Sequence, residues 1–179
     1  EDSLEGIFNL LKTESRIFRF GSGSGANFSR LRSRHERLSG GGTSSGMMSF
    51  LRVFDRGADA VKSGGTTRRA AKMVVLNVDH PDIKSFIYCK KEIEDMTKIL
   101  EKAGVKSSIE GELFNPYTIL PFQNANNSVR VTDEFMRAVE NDDWWDLKAV
   151  TTGETIERVK AREIMRWIAD AAWHSADPG

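Results

Sequence analysis

Met73-Val74-Val75-Leu76-Asn77-Val78 is a short apolar run between polar segments, and it reads as a buried strand. Upstream, Met47, Met48, Leu51, Phe54, Ala58 and Val61 recur at helical spacing and predict a helix over about 46–62. The loop Ser63-Gly64-Gly65-Thr66-Thr67-Arg68-Arg69 joins that helix to the strand. Downstream, Pro81 suits the first turn of a helix running through Tyr88, and a charged helix over 90–104 ends at Gly104. Helix, buried strand and helix in succession place the chain in the α/β class.

The same reading extends to both ends. Leu4, Ile7, Phe8 and Leu11, with Asp2 and Ser3 placed to cap, predict a helix over about 3–14. Arg16-Ile17-Phe18-Arg19-Phe20 looks β-like. Gly111 to Pro121 is irregular, Asn127 to Val131 reads as a strand, and Thr132 caps a helix to about Glu140. Asp142 to Gly153 is a loop or short hairpin, and Ile156 to Trp173 reads as one long amphipathic helix. At 179 residues this is one domain's worth of chain. The two ends look cut from a longer polypeptide. No apolar run approaches the ~20 residues of a membrane span, nothing resembles a signal peptide, and cytoplasm is the expected location. The single cysteine, Cys89, excludes an intrachain disulfide and a cysteine-based metal cluster.

Charge is strongly polarised beneath a net charge of zero. The 57 residues from Arg16 to Lys72 hold ten of the fifteen glycines and twelve of the 26 Lys and Arg, with three acids, Glu36, Asp55 and Asp59. That segment carries +9 and the remainder −9. Glycine lets a backbone approach closely and turn its N–H groups inward, while arginine offers a planar fork of donors. A phosphate-bearing ligand, most simply a nucleotide, is the first functional inference.

Individual motifs narrow it. Gly21-Ser-Gly23-Ser-Gly25-Ala26 formally matches a dinucleotide fingerprint, but positions 40–46 lack the acid that a Rossmann unit needs about 20 residues on. No Gly-Lys-Ser/Thr follows a glycine cluster, which excludes a P-loop. Ser63 to Arg69 could be a solvated turn with incidental arginines; the matching basic loop at 30–46 weighs toward phosphate. Asp79-His80-Pro81-Asp82 reads as a capped turn ahead of a metal or acid/base cluster. Cys89 reads as helix filler, although nearby lysines could lower its pKa. Gln123-Asn-Ala-Asn-Asn-Ser128 is either a polar turn or the wall of a polar site, with buried amides needing partners. DNA binding is disfavoured, since no aromatic lies between 29 and 46.

Long strings then resemble one family, the large catalytic chain of ribonucleotide reductase, closest to its adenosylcobalamin-dependent branch. They are Asp2-Ser-Leu-Glu-Gly-Ile7, Gly21 to Arg32, Leu38 to Gly46, Lys62 to Met73, Asp79-His-Pro-Asp-Ile83, Gln123 to Val131, and Ala171-Ala-Trp173 with Ala176-Asp-Pro-Gly179. The resemblance implies the first half of a ten-stranded α/β barrel. It implies a regulatory deoxynucleoside triphosphate or ATP held where two subunits meet. Asp2 and Ser3 at the first helix, Arg19, Arg32 (after a one-residue shift), Ser39, Gly40, Gly41, Gly42 and Ser63 match effector-binding positions. Gly23, Ser24, Gly25, Gly64, Gly65, Thr66 and Arg68 match positions facing a ribonucleoside diphosphate, with Arg68 reaching the base. In that family cobalt–carbon homolysis generates a cysteine thiyl, which takes the ribose 3′ hydrogen; water leaves from C2′ and a cysteine pair supplies two electrons, replenished by a thioredoxin-like reductant. Cys89 matches none of those cysteines, so the resemblance implies no catalytic residue and no metal ligand in this segment, an inactive isolated fragment, and a homodimer when intact. A non-catalytic nucleotide-binding module is the alternative.

Overall fold

The computed structural model describes residues 1–61, 71–105 and 116–179. The expected loop from Ser63 to Arg69, with Gly64, Gly65, Thr66 and Arg68, lies outside the described residues, as do residues 111–115 of the Gly111–Pro121 stretch. Three strands, β1 (Ser24–Asn27), β2 (Lys72–Asn77) and β3 (Asn126–Arg130), form a parallel sheet in the order β1-β2-β3. At the β3 side the chain returns: Gly179 N–H donates to Asn127 O and its carbonyl accepts from Val129 N–H, both at 2.9 Å, in the parallel pattern. The α/β expectation is met, with parallel pairing.

Helix α1 (Leu4–Arg19) starts at Ser3, whose backbone is extended and whose hydroxyl accepts Gly6 N–H. It continues through Arg16–Arg19, correcting the β-like expectation there. Ile7, Leu11, Glu14 and Phe18 form one continuous stripe at helical spacing, and burying Phe18 at 1% exposure outweighs the local alternation. Helix α2 (Met47–Ala60) follows expectation and buries Met47, Leu51 and Phe54. Helix α3 (Ile83–Lys102) is one helix where two were expected, because Phe86, Ile87, Cys89, Ile93 and Thr97 keep a single buried face. Pro81 sits two residues before it, inside the Asp79–Asp82 turn.

A short helix α4 (Pro116–Ile119) precedes β3. Helix α5 (Asp133–Asn141) is capped by Thr132, whose hydroxyl accepts Phe135 N–H at 3.2 Å. Strands β4 (Trp144–Lys148) and β5 (Thr155–Lys160) form an antiparallel hairpin, and α6 (Ala161–Ser175) follows. The expected helix from Ile156 thus begins five residues later. Thr155, Ile156 and Val159 are β-branched, and ladder bonds to β4 satisfy their backbone groups instead. The core lies between the sheet and the helices: Val74 and Leu76 of β2 meet Ile83, Phe86, Phe135 and Ile164. Phe28 stands edge-on to Phe54, centroids 5.0 Å apart.

Candidate functional site at the start of the first helix

Three of the expected effector residues come together. Asp2 and Ser3 precede α1, and Arg32 lies in the loop after β1; all three line one cavity of about 240 Å³ with Leu38, Ser44 and Ser45. Arg32 Nε donates to Asp2 Oδ2, Arg32 N–H reaches Asp2 Oδ1 at 3.4 Å, and Arg32 Nη1 donates to Arg37 O at 3.3 Å. Among the described residues Nη2 has no partner, so one edge of the guanidinium remains for an anion. The α1 N-terminus adds its positive dipole end to the same place.

The wall of that cavity is a small hairpin. Arg37 bridges Thr43, Leu38 N–H donates to Gly42 O at 3.0 Å, and Gly41 and Gly42 adopt φ of +92° and +82°. Ser39, Gly40, Gly41 and Gly42 form its exposed tip, and a Cβ at any of these three glycines would meet nothing within 4 Å. The hairpin ends at Gly46, where φ is +81° and a Cβ would lie 2.9 Å from Arg34 N.

Arg19 is not part of this cluster. It ends α1, sixteen residues from the helix start, about 24 Å at 1.5 Å per residue. Gly23, Ser24 and Gly25 lie at the amino end of β1. Gly23 packs so closely on β2's approach that a Cβ would sit 2.9 Å from Ala71 O. Ser24 Oγ donates to Glu14 Oε1 at 2.9 Å.

Sequence reasoning missed a second concavity, at the carboxyl ends of the parallel strands, where open α/β sheets bind ligands. It measures about 630 Å³ and is lined by Asn27, Ser29, Arg30, Asn77 and Arg130 with one side of α1. Asn27 Nδ2 donates to Asn77 Oδ1 at 3.1 Å. Arg30 and Arg130 have no side-chain partner among the described residues. The Gly/Arg composition flagged Arg30's neighbourhood; nothing local marked Arg130 as its neighbour.

Buried carboxylates hold the site's framework, and none was singled out by the sequence. Glu36, 5% exposed, accepts Ser33 N–H and Oγ–H on one oxygen and Thr151 N–H and Oγ1–H on the other, at 2.7–3.0 Å. Burial alone would raise its pKa; those donors override it and bring the carboxyl down to about 2. Asp55 accepts Phe122 and Asn124 N–H, each at 2.8 Å, fixing the segment that enters β3. Lys72 Nζ is fully buried against Glu14.

The remaining candidates are structural. His80 Nε2 lies 2.8 Å from Leu31 O and Nδ1 accepts Asp82 N–H at 3.0 Å, as expected of a capped turn. Burial pushes the Cys89 thiol up to about 12, and Asn127 Nδ2 approaches its sulfur at 3.3 Å. No group of three or more His, Cys, Asp or Glu among the described residues could hold a metal. None of the described helices is long and apolar enough to cross a membrane.

A family model described as "Ribonucleotide reductase, barrel domain" matches residues 1–179. The "Vitamin B12-dependent ribonucleotide reductase" of Streptomyces clavuligerus is 51% identical over 179 residues, covering 100% of this chain and 18% of that protein. That of Rhodopirellula baltica is 46% identical over 181 residues, covering 100% and 17%. The "Vitamin B12-dependent ribonucleoside-diphosphate reductase" of Thermoplasma acidophilum is 40% identical over 179 residues, covering 99% and 20%. The chain thus spans less than a quarter of the curated relatives it matches. With the family model covering its whole length, the chain belongs to the ribonucleotide reductase barrel-domain family.

Proposed function

We propose that these residues are the regulatory and substrate-framing part of an adenosylcobalamin-dependent ribonucleotide reductase, which converts ribonucleotides to 2′-deoxyribonucleotides. The convergence of Asp2, Ser3 and Arg32 with the 37–43 hairpin on one cavity carries this reading. Asp2 has the chemistry to accept from a ribose hydroxyl, and Arg32 with the helix start to hold a phosphate of a dNTP or ATP. The glycine tip of the hairpin can follow the rest of the triphosphate. Gly23 to Gly25 and the segment from Ser63 to Arg68 are assigned to the ribonucleoside diphosphate side.

The parallel sheet, extended by Gly179 beyond β3, supports placement in the first half of a ten-stranded barrel. Leu4, Phe8 and Leu10 of α1 and Val53 of α2 are exposed at 60%, 46%, 37% and 38%, which supports a homodimer joined through these helices. A thioredoxin-like protein is the proposed reductant and the cytoplasm the proposed location. Adenosylcobalamin supplies the radical chemistry in such an enzyme. The described histidines do not fit a cobalt-ligand role: His80 uses both ring nitrogens internally, His174 meets Asp95 and Lys98, and His35 meets Arg34. No residue described is therefore assigned to the cofactor.

The test is equilibrium binding of dATP, dTTP, dGTP and ATP to the full-length polypeptide carrying Asp2→Asn or Arg32→Ala. Effector affinity is expected to fall at least tenfold in each, the scale of one lost charge-assisted contact. Affinities within twofold of the parent would reject the site.

A further inference from the structure

The 37–43 hairpin has almost nothing of its own to fix its direction. Beyond the bonds of Gly41 and Gly42 to Leu38 within the hairpin, a side chain at any tip glycine would meet nothing within 4 Å, and Ser39 and Leu38 are exposed. Its aim is set at its base, by Glu36. The carbonyl of Glu36 accepts Ser44 N–H at 2.9 Å, closing the stem, while its carboxylate collects the four donors of Ser33 and Thr151. Thr151 is contributed by the β4–β5 turn, 115 residues further along.

That turn is itself rigidly held. Ala149 N–H donates to Glu154 O and Gly153 N–H to Ala149 O, at 2.8 and 2.9 Å, with Gly153 at φ +74°. One residue earlier, Lys148 N–H donates to Asp79 O at 2.8 Å, tying the hairpin to the turn after β2. The carboxylate is chemically required at this junction. Two oxygens accept four donors, whereas a glutamine would turn an NH₂ toward one donor pair and open one side of the junction.

We propose that Glu36 and Thr151 are positioning residues for the nucleotide-regulated loop, so that the β4–β5 hairpin sets how tightly the controlling nucleoside triphosphate is held. This rests on the effector-site reading above and extends it to an element that lines none of that cavity. The effect runs through loop placement alone, since neither side chain lines the cavity at Asp2, Ser3 and Arg32.

The experiment uses the full-length polypeptide. Thr151→Val removes the hydroxyl that donates to Glu36 and keeps the backbone donor, Thr151→Ser restores the hydroxyl, and Glu36→Gln mismatches one donor pair. Effector affinity is read by equilibrium binding of dATP and dTTP, alongside effector-free ribonucleotide reduction. Thr151→Val and Glu36→Gln are expected to weaken effector binding at least fivefold with effector-free turnover within twofold, and Thr151→Ser to match the parent. Unchanged affinity in Thr151→Val, an equal loss of effector-free turnover, or a Thr151→Ser that behaves like Thr151→Val would overturn it. Asp2→Asn separates the two layers. If it too leaves affinity unchanged, the effector site falls and this inference with it; if it weakens binding while Thr151→Val does not, only this inference falls.

Discussion

Lys72 and Glu14 form an ion pair that water does not reach, with side-chain exposures of 0% and 1%. Breaking it from one side is therefore the most informative perturbation of this fold. Burial lowers the pKa of the ammonium, and Glu14 opposes that shift through a hydrogen bond and its charge. The Phe54 ring centroid lies 4.8 Å from the nitrogen and that of Phe28 5.8 Å away, so the cation sits against aromatic rings. Glu14→Leu leaves buried Lys72 without its hydrogen-bonded partner and with only the charge of Asp55 opposing its burial, and Lys72→Met strands Glu14 with Ser24 as donor. Each single change is expected to cost about 3–5 kcal/mol, a large share of a domain's ordinary stability. The double variant, Glu14→Leu with Lys72→Met, removes both charges and keeps the volume. It is expected to return to within about 1 kcal/mol of the parent or above it. Urea unfolding followed by far-ultraviolet circular dichroism gives the cycle. A double variant as unstable as the two single losses combined would refute the argument, because it would show that the charges do not compensate each other.

Glu36 makes a second, pH-dependent contribution. Its carboxyl sits at about 2 against an ordinary value near 4.5, so the folded state favours the ionised form. The stabilisation is complete above the ordinary value and is lost as pH falls toward 2; the whole is worth about 3 kcal/mol. The stability difference between parent and Glu36→Gln should shrink across that acid window, and parallel curves would contradict the assignment. Two glycines in one loop should respond oppositely to alanine. Gly46→Ala forces a side chain into φ +81° and onto Arg34, at a cost of at least about 2 kcal/mol, whereas Gly40→Ala meets open space and should change stability by about 0.5 kcal/mol or less. Equal unfolding midpoints for the two variants would sink that distinction.

What was legible in the sequence follows from how far each signal reaches along the chain. The buried strand at Met73–Asn77 and the Thr132-capped helix announce themselves within a few residues, by apolar run and by cap. Strand β1 does not: Ser24-Gly-Ala-Asn27 has no β-propensity to read, and its pairing rests on backbone bonds to a strand some fifty residues away. Strand β5 carries apolar residues at Ile156 and Val159, three apart, which mimics a helix until β4 is present to pair with it. The site divides in the same way. Asp2, Ser3 and Arg32 could be matched as strings, but Glu36 with Thr151 and Arg30 with Arg130 are neighbours only after folding.

The charge separation seen in the sequence acquires a mechanical meaning in the fold. Acids from outside the basic segment reach into it and neutralise particular members: Asp2 takes Arg32 and Glu14 takes Lys72. Two of the segment's own three acids serve backbone: Glu36 gathers N–H groups from Ser33 and Thr151, and Asp55 from Phe122 and Asn124. Glu36 used this way stiffens the base of the glycine-rich hairpin, and Asp55 the segment that enters β3. They also leave other arginines of the segment uncompensated, since Arg16, Arg19 and Arg30 meet no acid among the described residues. A rigid backbone beside spare guanidinium groups is what polyphosphate recognition needs, because the donors are already placed and little ordering remains to be done on binding. The glycines give the chain its close approach, and the acids keep that approach from dissolving into disorder. If the proposed effector site holds, losing Glu36 should therefore weaken nucleotide binding although Glu36 lines no part of that cavity.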